Sequence, residues 1–334
     1  MDQSPFSMHI AILGNPTSWY AGELERAATA RGHRCSRIEY AQLVAAVYGG
    51  DRPPEFIAGE TPLADVDAIV VRTMPPGSLE QVVFRMDVLA RLEAAGLIVL
   101  NGPKAIECAV DKFLTTSRLA AAGLPVPETV VCERADAALE AFERLGGDVV
   151  VKPVFGAEGR GIVRVSDPDL AFRTFRTLER IQAVLYVQRY VDHGGWDVRV
   201  LLFDGDVLGA MRRFNPHDFR VNVSRSGSAE PHEPTERECG LARLAAEAAG
   251  TRFCGVDLLY DTESRVESRE SRARESGSLA LSGSGLSALD PRLSSDGRCY
   301  VIEVNAIPGW QAFSRVTGID VAAEVVRRLE RERS

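Results

Sequence analysis

Val301-Ile302-Glu303-Val304-Asn305, continuing into Ala306-Ile307-Pro308-Gly309, is the stretch on which the fold turns. It is a short β-branched run closed by a Pro-Gly turn, so it reads as a strand. Side chains on a strand alternate faces, which sets Glu303 and Asn305 on one face and Ile302 and Val304 toward the core. A carboxylate and an amide oxygen two residues apart suit a hard cation such as Mg²⁺. Upstream, FCGVDLLY (253–260) reads as a second strand and sets Asp257 among apolar residues, where an unpaired carboxylate is costly. If the residues between merely connect two paired strands, Asp257 lies beside Glu303, and the three side chains form an oxygen cluster. Ordinary solvent-facing polar residues are the alternative for each taken singly.

Further upstream, VVVKPVFGAEGRGIVRV (149–165) places Lys152 at the end of a β-branched run. Gly156, Gly159 and Gly161 follow in a loop that joins two strands. Glycines let backbone N–H groups approach phosphate oxygens, and a nearby lysine neutralises their charge. Plain turn chemistry explains such a loop equally well. Lys112 follows Asp111 at a helix start and, taken singly, reads as a solvated lysine. DFRVN (218–222) offers Arg220 and Asn222 on one strand face, suited to phosphate or an acyl phosphate, or simply a surface hairpin. In WDVRV (196–200), Asp197 and Arg199 are a same-face pair, with a salt bridge as the plain reading.

Composition sets limits on these readings. The chain has 334 residues, about two domains' worth, with 45% apolar and 26% charged residues, enough for a sizeable core. The net charge of −8 argues against a dedicated nucleic-acid binder. No run approaches the roughly 20 apolar residues of a membrane span. MDQSPFSMHIAILGNP lacks the charged start of a signal peptide. Six scattered cysteines without a C-x-x-C spacing read as reduced thiols of a cytoplasmic protein.

Strand-like and helix-like runs alternate from HIAIL (9–13) through LIVLN (97–101), which predicts a parallel α/β domain over 1–103. Ser78 is placed to cap the helical run that follows it. A second, α+β segment covers 104–182. A third, 183–334, opens at VLYVQRYV, turns at Asp204-Gly205, crosses a long polar loop, and ends in an amphipathic helix after Asp320. Residues 262–298, rich in Ser, Arg, Glu and Gly, read as a disordered insertion.

In this order and spacing the motifs resemble the ATP-grasp superfamily, and most closely its RimK-type carboxylate–amine ligases, or α-L-glutamate ligases. The resemblance runs from about Leu63 onward. It rests on DKFLTTSRLAAAGLPVP, VVVKPVFGAEGRGIV, VQRYV, DVRV, DFRVNVSRSGSA, GVDLL and VIEVNAIPG. It implies a Rossmann-like N-terminal domain, a central lid domain, and a C-terminal domain that binds ATP and metal. Lys112 and Lys152 would contact ATP phosphates. Gln188, Arg189, Tyr190 and Val191 would read adenine, and Asp197 would belong to the ATP site. Arg220 and Asn222 would reach the phosphates and the acyl phosphate, with Arg220 the catalytic residue. Asp257, Glu303 and Asn305 would hold two Mg²⁺ ions, with Mn²⁺ as a substitute.

Arg189 stands where relatives often carry Glu, and Ser226-Gly227 where Gly-Gly is usual. RTMPPGSLEQVVFRMDVLARLEAAG and AIECAVDKFLTTSRLAAAGLPVPETVV look closer to ligases of pterin-type one-carbon cofactors than to the ribosomal-protein glutamate ligase. The implied substrates are L-glutamate and a carboxylate acceptor, with neither nucleic acid nor membrane as partner and homo-oligomerisation left open. A ligase with another acceptor and a non-catalytic ATP-binding protein are the competing readings.

Overall fold

The structure is a computed structural model and describes residues 7–156, 159–221, 227–262 and 298–333. The chain opens with β1 (His9–Leu13), α1 (Trp19–Ala30) and β2 (Arg34–Ile38). Three short strands follow: β3 (Leu43–Ala46), β4 (Glu55–Ala58) and β5 (Thr61–Pro62). Then come β6 (Ala68–Val71), α2 (Leu79–Ala94), β7 (Ile98–Leu100) and α3 (Pro103–Val110). The middle of the chain holds α4 (Lys112–Ala121), β8 (Thr129–Cys132), α5 (Ala135–Arg144) and β9 (Val149–Lys152). It continues with β10 (Val163–Val165), α6 (Pro168–Arg180) and β11 (Leu185–Arg189). A long hairpin, β12 (Trp196–Phe203) and β13 (Asp206–Phe214), precedes β14 (Ser228–His232) and α7 (Glu236–Ala249). The last elements are β15 (Phe253–Tyr260), β16 (Cys299–Asn305), α8 (Gln311–Thr317) and α9 (Val321–Arg333).

Many boundaries have local causes. Ser18 accepts a hydrogen bond from the Ala21 amide and starts α1, and Ser78 with Gln81 forms a capping box on α2. Asp111 and Asp167 cap α4 and α6 in the same way. Asp204 and Gly205 both have positive φ, 48° and 78°, as a two-residue hairpin turn requires.

The chain forms two compact units. The first contains residues 1–107, 250–255 and 305–334. Its main sheet is parallel, in the order β2-β1-β6-β7, and all four residues of β6 are buried. A small antiparallel sheet, β3-β4-β5, is added from residues 43–62. Helix α9 packs on α1, and Arg31 and His33 both meet Glu330, at 2.7 and 2.6 Å.

Asn101 ties the late segments to the early ones. It is 1% exposed, and its amide donates to the carbonyls of Phe253 (2.6 Å) and Ala306 (2.5 Å). Its carbonyl oxygen accepts from the backbone amides of Arg252 (2.8 Å) and Phe253 (3.0 Å). Both amide hydrogens and both oxygen lone pairs of that side chain are used.

The second unit contains residues 108–249 and 256–304 and two sheets. One is antiparallel, in the order β10-β9-β11-β8. Val149, Val151, Leu185 and Val187 face α5 and α6, packing on Phe142 and Phe175. By alternation, Val150, Lys152 and Gln188 face the other way. The other sheet runs β14-β13-β12-β15-β16, with α7 against β12 and β13.

The structure corrects several sequence expectations. The run 184–191, read as the opening of a third segment, contributes β11 to the central sheet, because its fully apolar core face completes the helix-covered side. The polar loop after β13 contains an edge strand, β14, whose sequence SAEPH offers no apolar alternation to a hydrophobicity reading. Residues 250–255 and 305–334 group by contact with the first unit. All six cysteines are free. Residues 263–297, most of the expected disordered insertion, lie outside the described residues. The described chain on either side is joined by a bond from the Asp261 amide to the Arg298 carbonyl, 3.0 Å.

Asn101→Ala is expected to cost about 3 kcal/mol of folding stability, because it orphans buried backbone groups of residues 252, 253 and 306. Urea unfolding of the variant beside the parent measures this.

Candidate active site

One cavity in the second unit is lined by most of the residues singled out in the sequence. Lys112, Lys152, Gly156, Gly159, Gln188, Arg189, Tyr190, Val191, Asp197, Arg220, Asp257 and Glu303 all border it. The floor comes from the β12-β15-β16 side, and the opposite wall from the outward face of β9 and β11.

Lys152 ends β9 and points away from the helices. Its Nζ donates to Gln188 Oε1 at 2.7 Å. Gln188 is fixed in turn, donating to Thr129 Oγ1 at 2.8 Å and to the Tyr186 hydroxyl at 3.1 Å. Burial pushes the Lys152 ammonium down to about 8, against the pull of Glu303. Lys112 starts α4, and its Nζ donates to the Gly156 carbonyl at 2.6 Å and lies 3.9 Å from Glu303. Thus two ammonium groups and the glycine loop share one wall. Gly159 and Gly161 have φ of 68° and 74°, which favours glycine there. At Gly161 an added Cβ would also meet Pro153 at 3.4 Å.

The segment after β11 is tied down through its backbone. The amide of Arg189 donates to the Glu128 carbonyl (2.8 Å) and that of Tyr190 to the Asp148 carbonyl (3.0 Å). Arg164 pairs with Asp148 and lies 3.5 Å over the Tyr190 ring. The Arg189 guanidinium turns to the Tyr300 hydroxyl, 2.8 Å.

The floor carries a buried charge network. Asp197 and Arg213 are direct cross-strand neighbours on β12 and β13 and form a bidentate pair, with Nε to Oδ1 at 2.7 Å and Nη2 to Oδ2 shorter. Arg199 pairs with Asp257 on β15, at 2.6 Å through both nitrogens, and Arg213 also reaches Asp257 at 2.9 Å. The Asp197–Arg199 salt bridge expected from the sequence is not the one formed. Alternation put both on one face, but the register gave each a cross-strand partner. Burial pushes Asp257 up, yet the guanidiniums of Arg199 and Arg213 outweigh it and hold the carboxyl below its ordinary range. Arg213, which burial alone would lower, is raised by Asp197 and Asp257.

Glu303 lies on edge strand β16, half-buried at the cavity wall, with Val304 buried behind it. Ile302, expected in the core, is half-buried and also lines the cavity. Asn305, two residues on, shares the Glu303 face by alternation, and its amide donates to the Gly255 carbonyl at 3.5 Å. Arg220 borders the cavity while engaged with Asp218, at 2.6 Å through Nη2. Asn222 lies outside the described residues, as do positions 157 and 158 of the glycine loop.

Among the described residues no three His, Cys, Asp or Glu side chains cluster as a metal site. The donors still suit a hard cation. Glu303 offers a carboxylate. Asp257 accepts about three hydrogen bonds of the four its carboxylate can take, with one lone pair left on Oδ1. Asn305 adds a neutral oxygen.

Residues 8–106 match the RimK PreATP-grasp domain and residues 109–268 the RimK-like ATP-grasp domain. The chain is 32% identical to the tetrahydromethanopterin:alpha-L-glutamate ligase of Methanosarcina acetivorans, across 96% of this chain and 98% of that protein. It is 28% identical to a "Probable alpha-L-glutamate ligase" of Teredinibacter turnerae, across 97% and 96%. Among solved structures, the ATP-grasp ligase PsnB with its minimal precursor superposes with a TM-score of 0.70 at 20% identity, across 97% of this chain and 99% of that one. The chain belongs to the RimK-like ATP-grasp family. It is an ATP-dependent ligase that forms amide bonds, and its fold is the ATP-grasp fold expected from the sequence. No helix among the described residues is long and apolar enough to cross a membrane.

Sequence reading missed Arg213. Its signal was present in MRRF, a strand with a second arginine amid apolar residues, but the partner became visible only with the register. Arg213→Met is expected to destabilise the protein by about 3–5 kcal/mol, since it strands Asp197 and crowds two buried carboxylates. Adding Asp197→Leu should restore much of that loss, and denaturant unfolding of the single and double variants reads both effects.

Proposed function

We propose that this chain joins L-glutamate to the carboxylate of a pterin-type cofactor through an acyl phosphate. The acceptor assignment rests on the full-length likeness to the M. acetivorans ligase. The mechanism rests chiefly on one observation, the pairing of Lys112 and Lys152 with a glycine loop on one wall of the cavity and Glu303 and Asp257 on the other.

In the first step an oxygen of the acceptor carboxylate attacks the γ-phosphorus of ATP. The bond to the β,γ-bridging oxygen breaks and ADP is the leaving group. Lys112 and Lys152 hold the phosphates, with Gly156, Gly159 and Gly161 offering backbone N–H groups above them. Gln188, Arg189, Tyr190 and Val191 read the adenine, mainly through the backbone. Asp197 and Asn222 complete the nucleotide site. In the second step the glutamate amine attacks the acyl carbon, the C–O bond to phosphate breaks, and inorganic phosphate leaves. Arg220 stabilises the tetrahedral oxyanion once released from Asp218. Asp257, Glu303 and Asn305 would hold two Mg²⁺ ions, or Mn²⁺ in their place, which supply charge neutralisation at the transferred phosphoryl group. The sheet built by β8 to β11 serves as the lid that keeps water from the acyl phosphate. The functional division proposed is 1–103, 104–182 and 183–334, with β11 of the third segment lending a strand to the lid sheet.

Phosphate release should require ATP, the pterin carboxylate and L-glutamate together, and mass spectrometry should show one glutamyl residue added per cycle. Glu303→Gln should stay folded and lose this turnover. Glutamylation of a ribosomal-protein C-terminal tail, with none on the pterin, would replace the proposed acceptor. Release from no carboxylate–amine pair would reject the substrate assignment.

A second expected outcome concerns pH. The ammonium form of Lys152 is the one that pairs with phosphate, and it is lost as pH rises through about 8. The KM for ATP should therefore rise above pH 8, by at most about tenfold per unit. Lys152→Arg, charged throughout, should flatten the profile between pH 7 and 9.5.

A further inference from the structure

The first unit holds a buried cation that the chemistry above does not use. In an open parallel sheet, ligands bind beyond the carboxyl ends of two strands whose connections leave in opposite directions. In the order β2-β1-β6-β7 that point lies between β1 and β6. Leu13 and Val71 are paired at the ends of these strands, and Gly14 and Arg72 come next. The Arg72 amide donates to the Leu13 carbonyl at 2.8 Å. A Cβ on Gly14 would lie 3.0 Å from the Thr73 amide nitrogen, so the two chain ends approach as closely as glycine permits.

Arg72 is 5% exposed. Its guanidinium carbon lies 4.0 Å from the Trp310 ring centre and 4.9 Å from that of Tyr20. Nη2 donates to the Pro308 carbonyl at 2.8 Å, and Nε has no acceptor among the described residues. Among those residues no carboxylate pairs with it. The contrast with the second unit is plain, where the buried Arg213 pairs with both Asp197 and Asp257. Burying a guanidinium costs several kcal/mol, and two aromatic faces return about 0.5–2 kcal/mol each. No carboxylate among the described residues balances Arg72 as Asp197 and Asp257 balance Arg213. Tyr20 is the second residue of α1, in the turn that carries the positive end of this twelve-residue helix. Asn15, Thr17 and Thr73, all exposed, flank this point in the chain.

We infer that Arg72 is a substrate-binding residue that takes a carboxylate at the carboxyl ends of β1 and β6. The carboxylate belongs to one of the two organic substrates, the amino acid or the acceptor. This rests on the ligase reading above.

The test uses the full-length protein and Arg72→Met, with Arg72→Lys as the conservative variant. KM values for ATP, L-glutamate and the pterin acceptor are measured separately. The expected result is a rise of about thirtyfold in the KM for glutamate or for the acceptor, with the ATP value unchanged and partial recovery in Arg72→Lys. A rise for glutamate assigns the site to the amino acid, and a rise for the acceptor assigns it there. Unchanged values for both substrates overturn the inference. If Arg72→Met does not fold, Arg72→Lys is read by the same criterion. The site is also tested without turnover, by calorimetric titration of the nucleotide-free protein with L-glutamate, glutarate and the pterin acceptor. Saturable binding lost in the variant supports the carboxylate site even if no amide is formed. Absence of binding by all three overturns it while leaving the ligase reading intact.

Discussion

Two aspartates and two arginines sealed within one sheet are the constraint on which the active-site floor depends. Asp197, Arg213, Arg199 and Asp257 leave water together, and their charges sum to zero. Each alone would carry a desolvation cost of several kcal/mol, so the group is stable only as a set. The set fixes positions that no single hydrophobic contact could fix. β12, β13 and β15 are held side by side by charges as well as by backbone hydrogen bonds. It also orients Asp257, whose one remaining lone pair is the portion of its carboxylate left for anything else.

The opposite wall is built by a different economy. Valines on one face of β9 and β11 bury against α5 and α6, and the alternation that puts them there turns Lys152 and Gln188 outward. Gln188 then acts as a rigid mount, since its amide is held by Thr129 and Tyr186 while its oxygen takes the lysine. A lysine held this way keeps little rotamer freedom to lose when an anion arrives, a preorganisation that favours binding. Arg220 differs, because Asp218 must first release it.

What could be read from the sequence was whatever a short window contains. Ser78 with Gln81, the Asp204-Gly205 turn, and the alternation through Glu303 and Asn305 are local, and the structure shows the cap, the turn and the strand. Partners across strands were not legible. Alternation placed Asp197 and Arg199 on one face but could not say that Arg213 and Asp257 stood opposite. β14 and β2 are polar edge strands whose pattern resembles a loop, and β11 is apolar enough to join either sheet. The buried state of Arg72 depends on Tyr20 and Trp310, which lie 52 residues before it and 238 after it, beyond any window.

The position of Asn101 has a consequence for biosynthesis. The first 107 residues leave the ribosome early, but the bonds that satisfy Asn101 are made by residues 252, 253 and 306, and α9 covers α1 only when residues 321–333 have appeared. Until those residues appear, α1 therefore lacks the helix that packs on it and the Asn101 amide lacks its partners. Contacts so distant in sequence close slowly, and a nascent chain in that state shows apolar surface to its neighbours. The same arrangement makes the chain sensitive to truncation at its far end, since losing the last helix would uncover the first.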